Sequence, residues 1–189
     1  MAGHVLKEKS FNDIILEKTD VPVFKCYQCG KCTAGCPLAA EMDFPPSLIL
    51  RMLQTEMPDE VEKILSSYSI WVCLSCEMCY TRCPQEIDIP KLMDLLRQES
   101  IRRDLIHPDA KDIISFHKAF LDSIKYTGRL FENALFVDYK ARSRHFFQDL
   151  KIAPKMFLKG KLGLLPHTVK DKKNISRIFS KSNNEEAHR

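Results

Sequence analysis

Apolar positions along this chain recur at helical spacing, and alternation of the kind that predicts strands is absent. Leu48, Ile49, Met52 and Leu53 form one short stripe, and the prolines of the preceding "FPPS" suit a helix start. Val61, Ile64, Leu65 and Tyr68 form a second, with Pro58, Asp59 and Glu60 as its first turn. Further on, Asp88 is placed to cap a helix with Pro90 in its first turn and Ile89, Leu92, Met93 and Leu96 on one face. "HPDAKDIISFHKAFLDSIKYTG" then predicts a longer helix with Ile113, Phe116, His117, Phe120, Leu121 and Ile124 inward and Gly128 near its C-cap. Asn183 to Arg189 is polar enough to predict a disordered tail. The pattern predicts an all-α protein.

Two stretches interrupt the helical pattern. "CYQCGKCTAGCP" at 26–37 and "CLSCEMCYTRCP" at 73–84 contain all 8 cysteines. Aligned at their constant offset of 47, they share the four cysteines and the proline and no other residue. What the two runs hold in common is chemistry at sulfur.

Composition sets the setting for that chemistry. With 189 residues, 44% hydrophobic and 29% charged, the chain reads as an ordinary soluble globular protein with one modest core. The N-terminal twenty residues are broken by charges and contain no secretory h-region, and no run approaches the roughly 18 apolar residues of a membrane span. A cytoplasmic location follows as the expectation. In that reducing compartment, clustered cysteines are metal ligands or redox groups sooner than disulfides.

Charge is uneven. From Tyr139 to Lys181 there are twelve Lys or Arg against two Asp, an excess of ten, so with a whole-chain charge of +4 the remainder carries −6. A solvated tail and docking on an acidic partner surface both fit that segment. Nucleic acid is not expected, because no helix-turn-helix or aromatic RNA signature accompanies the charge.

The spacing predicts the sulfur chemistry of iron–sulfur clusters. A [4Fe–4S] cubane needs one thiolate per iron, and C-x₂-C-x₂-C lets a short loop wrap three corners. In the two-cluster ferredoxin pattern the fourth corner comes from the last cysteine of the other run, and the following proline redirects the chain. On that pattern cluster 1 takes Cys26, Cys29, Cys32 and Cys83, and cluster 2 takes Cys73, Cys76, Cys79 and Cys36. Two zinc ions are the competing occupants, though zinc sites usually use two separated pairs of ligands.

The 36 residues between Cys36 and Cys73 carry helical stripes. With helices between and after the motifs, residues 20–105 resemble the α-helical ferredoxin domain of succinate dehydrogenase and fumarate reductase iron–sulfur subunits. The expected organisation is an N-terminal segment at 1–19, that domain at 20–105, a helical, basic extension at 106–182 and the tail at 183–189. "YSIWVCLSCEMCYTRCPQEIDIPKLMDLLR" and the later "GRLFENALF" and "KGKLGLLP" resemble the C-subunit family of soluble heterodisulfide reductases of methanogenic archaea. The resemblance implies a relay of electrons from a flavin-containing A-subunit to a B-subunit whose CCG motifs serve reduction of the coenzyme M–coenzyme B heterodisulfide in methanogenesis. It leaves open a hydrogenase or formate dehydrogenase reached through the A-subunit.

Such a subunit would be part of an oxidoreductase without a catalytic site of its own. The chain lacks an adjacent Cys-Cys pair, a cysteine beyond the eight, and a glycine-rich dinucleotide fingerprint. Relay to another CCG-type oxidoreductase acting on glycolate or glycerol-3-phosphate, a free-standing ferredoxin, and a zinc-binding interaction module stay as alternatives. His107, His117, His145 and His167 have no metal-ligand spacing. Asp13, Glu17 and Asp20 are expected on a solvated helix face. Phe24, Tyr27, Trp71 and Tyr80 flank the cysteines, where they would either dry a cluster or pack a core.

Overall fold

A computed structural model describes residues 9–144, 158–159, 169 and 171–187. The chain divides into two compact units, residues 1–110 and 111–189. Among the described residues every regular element is a helix.

The first unit opens with α1 (Phe11–Thr19), where Ser10 and Asp13 form a reciprocal capping box. Next come the one-turn α2 (Lys31–Ala34), α3 (Pro46–Gln54), α4 (Pro58–Leu65), α5 (Ser69–Val72) and the one-turn α6 (Met78–Thr81). The last α-helix of the unit is α7 (Ile89–Arg102), whose cap Asp88 accepts from the Lys91 N–H at 2.9 Å. Proline stands in the first turn of α3, α4 and α7, where no intrahelical N–H is required of it. α7 packs against α1, α4, α5 and α6, α3 packs against α1, α2 and α4, and α2 packs against α6. Ile49, Leu53, Ile64, Leu65, Leu92 and Leu96 are wholly buried between these helices.

Two details depart from the periodicity. Leu48 is 40% exposed and Leu50 takes its place inside, because α3 is gripped from both flanks by α1 and α4 and its inward face is displaced. Tyr68 stands after α4, at the start of α5, with its ring 5.5 Å from that of His107.

α1 belongs to this unit. Ile15 is buried, and Asn12 donates to the Leu53 carbonyl at 2.8 Å. Lys18 donates to Glu99 of α7 at 3.1 Å. Glu99 is almost fully buried and also receives Arg102 at 2.6 Å and Arg103 at 3.3 Å. Burial alone would push this carboxyl up, but the hydrogen bonds and charges of Arg102 and Lys18 outweigh it and hold the pKa at about 2.

The second unit contains α8 (Lys111–Thr127), α9 (Glu132–Ser143) and α10 (Lys172–Ala187), with α8 against both others. Its inward residues differ from the predicted stripe. Ala119, Ser123 and Lys140 are buried, whereas Phe116 and Leu121 are 45% and 50% exposed and His117 is exposed. The hairpin closes through small and polar groups: the Phe131 N–H donates to Ser123 Oγ at 2.9 Å, and Arg142 bridges Asp138 and Asp122. Gly128, with φ +83°, ends α8 through its N–H to the Ile124 carbonyl. α10 continues to Ala187, into the stretch whose composition predicts a disordered tail; a polar composition does not preclude intrahelical hydrogen bonds. Much of the basic segment, residues 145–157, 160–168 and 170, lies outside the described residues, as do His145 and His167. Within the described part, Arg142 is engaged in ion pairs and Lys140 lies over the Phe136 ring at 4.9 Å, so these two cations serve the unit itself. No described helix is long and apolar enough to cross a membrane.

Candidate metal centre

The two cysteine runs share a backbone as well as a spacing. Gln28 and Ser75, 47 residues apart, both take left-handed conformations, with φ +61° and +50°. Gly30 and Glu77, again 47 apart, do the same with φ +74° and +62°. These pairs flank the second cysteine of each run and turn the loop around it. A one-turn helix follows in each, begun by Ala34 N–H to Gly30 and Thr81 N–H to Glu77, both at 3.0 Å. The last cysteines are set alike, with Cys36 N–H on the Thr33 carbonyl at 3.1 Å and Cys83 N–H on the Tyr80 carbonyl at 2.9 Å. Exposure repeats too. Cys29 and Cys76 are exposed, Cys32 and Cys79 are buried, and the first and last cysteines of each run are half-buried.

Packing of α2 on α6 interleaves the runs. Cys36 of the first run lines one pocket together with Cys73, Cys76 and Cys79 of the second, its walls completed by apolar side chains such as Met42, Ile89 and Met93. The Cys26 thiol is pushed up by burial, an effect the Gln28 backbone hydrogen bond offsets in part, and the Cys83 and Cys29 thiols raise it further, which puts Cys83 of the second run within electrostatic reach of the first. Burial likewise raises Cys32, and pushes Cys79 up to about 12. Such thiols stay protonated at neutral pH until a metal displaces the proton. Among the described residues no three Cys, His, Asp or Glu side chains converge on one point as a single ion requires. An all-sulfur donor set, four members of it spread round one pocket, fits thiolate ligation at the corners of an iron–sulfur cluster.

Two polar side chains hold the runs from behind. Gln54, the last residue of α3, donates from Nε2 to the carbonyls of Val23 at 3.2 Å and Cys26 at 2.7 Å. Arg97 of α7 donates from Nε to the carbonyl of Ile70 and from Nη2 to that of Cys73, both at 2.5 Å. The carbonyl pairs lie 47 residues apart, so the helix following each run clamps the corresponding point of its loop. Gln28 adds a hydrogen bond to Cys26 Sγ, and the Ile87 N–H one to Cys83 Sγ, each at 3.4 Å. Sequence reasoning passed over Gln54 and Arg97. Their only signal is a long polar residue toward the end of the helix after each run.

The aromatic neighbours divide. Trp71 is buried, its indole N–H without a hydrogen-bond partner among the described residues. Phe24, Tyr27 and Tyr80 are 67%, 58% and 41% exposed, so they do not pack a core. Asp13, Glu17 and Asp20 are exposed, engaged respectively in the α1 cap, with Lys9 at 2.8 Å and with Lys91 at 3.9 Å.

Residues 22–87 match the model of the 4Fe-4S dicluster domain. Among curated proteins the chain is 37% identical over 97 residues to the iron–sulfur C-subunit of the CoB–CoM heterodisulfide reductase from Methanopyrus kandleri, covering 45% of this chain and 49% of that one. It is 29% identical over 109 residues to the C-subunit of the H₂:CoB–CoM heterodisulfide, ferredoxin reductase from Methanothermobacter thermautotrophicus, covering 58% and 57%. The C-subunit of the ferredoxin:CoB–CoM heterodisulfide reductase from Methanosarcina acetivorans is 33% identical over 81 residues, covering 43% and 31%. The chain spans about half the length of the first two relatives and less of the third. Over residues 22–87 the chain is thus similar to the 4Fe–4S dicluster domain, and over about half its length to the iron–sulfur C-subunit of heterodisulfide reductases.

Proposed function

We propose that this chain is the electron-relay subunit of a multi-subunit, cytoplasmic heterodisulfide reductase. Two [4Fe–4S] clusters, when bound, would supply one-electron transfer. Cys26, Cys29, Cys32 and Cys83 hold one, and Cys73, Cys76, Cys79 and Cys36 the other. The observation that carries this reading is the shared pocket of Cys36 with Cys73, Cys76 and Cys79, because a last cysteine that serves the opposite run is the two-cluster arrangement. The protein's own part is to fix the loops, through the left-handed residues and the two carbonyl clamps, and to keep Cys32 and Cys79 out of water.

Electrons enter from the A-subunit, which contains flavin, and leave to the CCG-motif B-subunit, where the coenzyme M–coenzyme B heterodisulfide is reduced. The basic segment 139–181 is the proposed docking element for an acidic partner surface. No catalytic site is assigned to this chain.

The test begins with anaerobically prepared protein, which should contain about eight iron and eight sulfide per chain, four of each per cubane. Mixed with the flavin and CCG-motif partners, it should carry electrons from flavin to heterodisulfide, and variants unable to bind clusters should block that flow. An artificial dye should still reduce the CCG-motif partner in the presence of those variants, since a dye bypasses the relay. Two zinc ions without sulfide, heterodisulfide reduction by the isolated chain, or undiminished flow without its clusters would refute the reading.

A further inference from the structure

The two carbonyl clamps do the same geometric work with different charge. Gln54 is neutral and Arg97 carries a full positive charge, yet each ties down the first cysteine of its run and the residue three positions earlier. The Arg97 side chain, its guanidinium tied to two carbonyls of the second loop, is only 19% exposed. Its carboxylate partner, Asp94, at 2.8 Å, is 57% exposed, so water screens the anion more than the cation. Of the other charges beside the runs, Lys25 and Lys31 at the first and Glu77, Arg82 and Glu86 at the second are exposed and screened in the same way, and half-buried Asp88 has its carboxylate engaged by the Lys91 N–H at the start of α7. The fixed, poorly solvated charge is therefore on one side of a nearly repeated structure.

A cluster gains one negative charge on reduction, so a cation held near it favours the reduced form, more strongly where solvent is excluded. We propose that Arg97 is a potential-setting residue: its guanidinium, locked on the Ile70 and Cys73 carbonyls, raises the reduction potential of the cluster built on the second run, a contribution that neutral Gln54 does not make to the first. This rests on the reading that each run carries a cluster. It concerns the increment due to Arg97 and not the order of the two potentials, because the neutral hydrogen bonds to Cys26 and Cys83 sulfur act on the first-run side.

The test is an anaerobic redox titration of the full, cluster-loaded chain, followed by electron paramagnetic resonance. Arg97→Gln reproduces the neutral clamp. One of the two reduction waves should move down, so that at its original midpoint the reduced-to-oxidised ratio falls about tenfold, equivalent to 59 mV for one electron. The other wave should stay in place. Arg97→Lys, which keeps the charge and loses the fork, should retain most of the original potential, whereas Asp94→Asn should move the same wave upward. Absence of movement in Arg97→Gln, equal movement of both waves, or Arg97→Lys moving as far as Arg97→Gln would overturn the proposal. If Arg97→Gln does not take up the second cluster, Asp94→Asn decides, and an unmoved wave there overturns it. A wild-type chain that binds neither iron nor sulfide refutes the cluster reading itself.

Discussion

The first cysteine run is backed by α3 and the second by α7, and the two settings differ more than the runs do. Both loops place left-handed residues on either side of the second cysteine, bury the third and clamp the carbonyl of the first. Behind the first run the clamp is an amide on a nine-residue helix without acidic residues. Behind the second it is a guanidinium on a fourteen-residue helix that also buries Glu99 among three cations. The cage is encoded by spacing and backbone conformation, which the repeat preserves, while its electrostatic setting is encoded by flanking helices, which the repeat leaves free.

The largest effect should come from breaking the equivalence of the last cysteines. Cys36→Ser should remove the cluster signal that Cys73→Ser removes and spare the one lost in Cys26→Ser, with roughly half the iron and sulfide gone in each variant. Cys83→Ser should side with Cys26→Ser. If Cys36→Ser and Cys26→Ser abolish the same signal, ligation stays within each run and the proposed grouping is wrong.

Next in size is the ion network particular to the second run's helix. Glu99→Gln leaves Lys18, Arg102 and Arg103 without their anion and should cost about 2 kcal/mol at pH 7, less than a fully buried pair because Arg102 is 61% exposed. The folded-state pKa of about 2 lies below the ordinary 4.5, so Glu99 contributes its full stability above about pH 4.5 and loses it as pH falls toward 2. Denaturation midpoints of wild type and Glu99→Gln should therefore differ at pH 7 and converge across that window. A gap that is constant down to pH 2 would show that the carboxylate charge contributes nothing.

Smaller effects of opposite sign are expected at the matched left-handed positions. A Cβ at Gly30 meets no atom within 4 Å, so Gly30→Ala should cost only the backbone penalty of φ +74°, about 1 kcal/mol. Glu77 already bears that penalty at φ +62°, so Glu77→Gly should stabilise by about 0.5–1 kcal/mol. Urea midpoints of the loaded chains give both values. Two changes of the same sign would mean that the loops are less alike than their dihedrals.

The smallest effect belongs to Gly35 and Arg82, also 47 residues apart. A Cβ on Gly35 would meet the Arg82 side chain at 2.6 Å, but that side chain is flexible and exposed and can move aside. Gly35→Ala should stay within about 0.5 kcal/mol by the same urea titration. A loss above 1 kcal/mol would mark the Arg82 contact as structural.

Much of the first unit was legible because its signals are local. The eight cysteines announce themselves by spacing, and the stripes of α4 and α7 bury Ile64, Leu65, Leu92 and Leu96 as periodicity predicts. What escaped depends on partners distant in sequence. Leu50 replaces Leu48 because α3 has neighbours on two flanks, and α1 is recruited by the burial of Ile15 and through Asn12 and Lys18, whose partners lie more than 40 residues away. The clamps escaped for the same reason, since nothing local distinguishes Gln54 or Arg97 from a surface residue. In the second unit the apolar stripe of α8 misled, because small residues allow closer approach of helices and Ala119 and Ser123 took the inward positions.

The gradient of exposure along each run also bears on durability in air. Oxidants reach cysteine by access and by thiolate character, and Cys29 and Cys76 stand at the surface while Cys32 and Cys79 are shielded. Damage in a chain stripped of metal should therefore start at the two crests, where sulfenic acid can form and be reduced back, before the shielded sulfurs are touched. Repair by a thiol reductant soon after exposure restores all eight thiols, whereas overoxidation of a crest to the sulfinic stage removes one of them permanently. The outermost sulfur of each loop thus sets the shelf life of the metal-free chain.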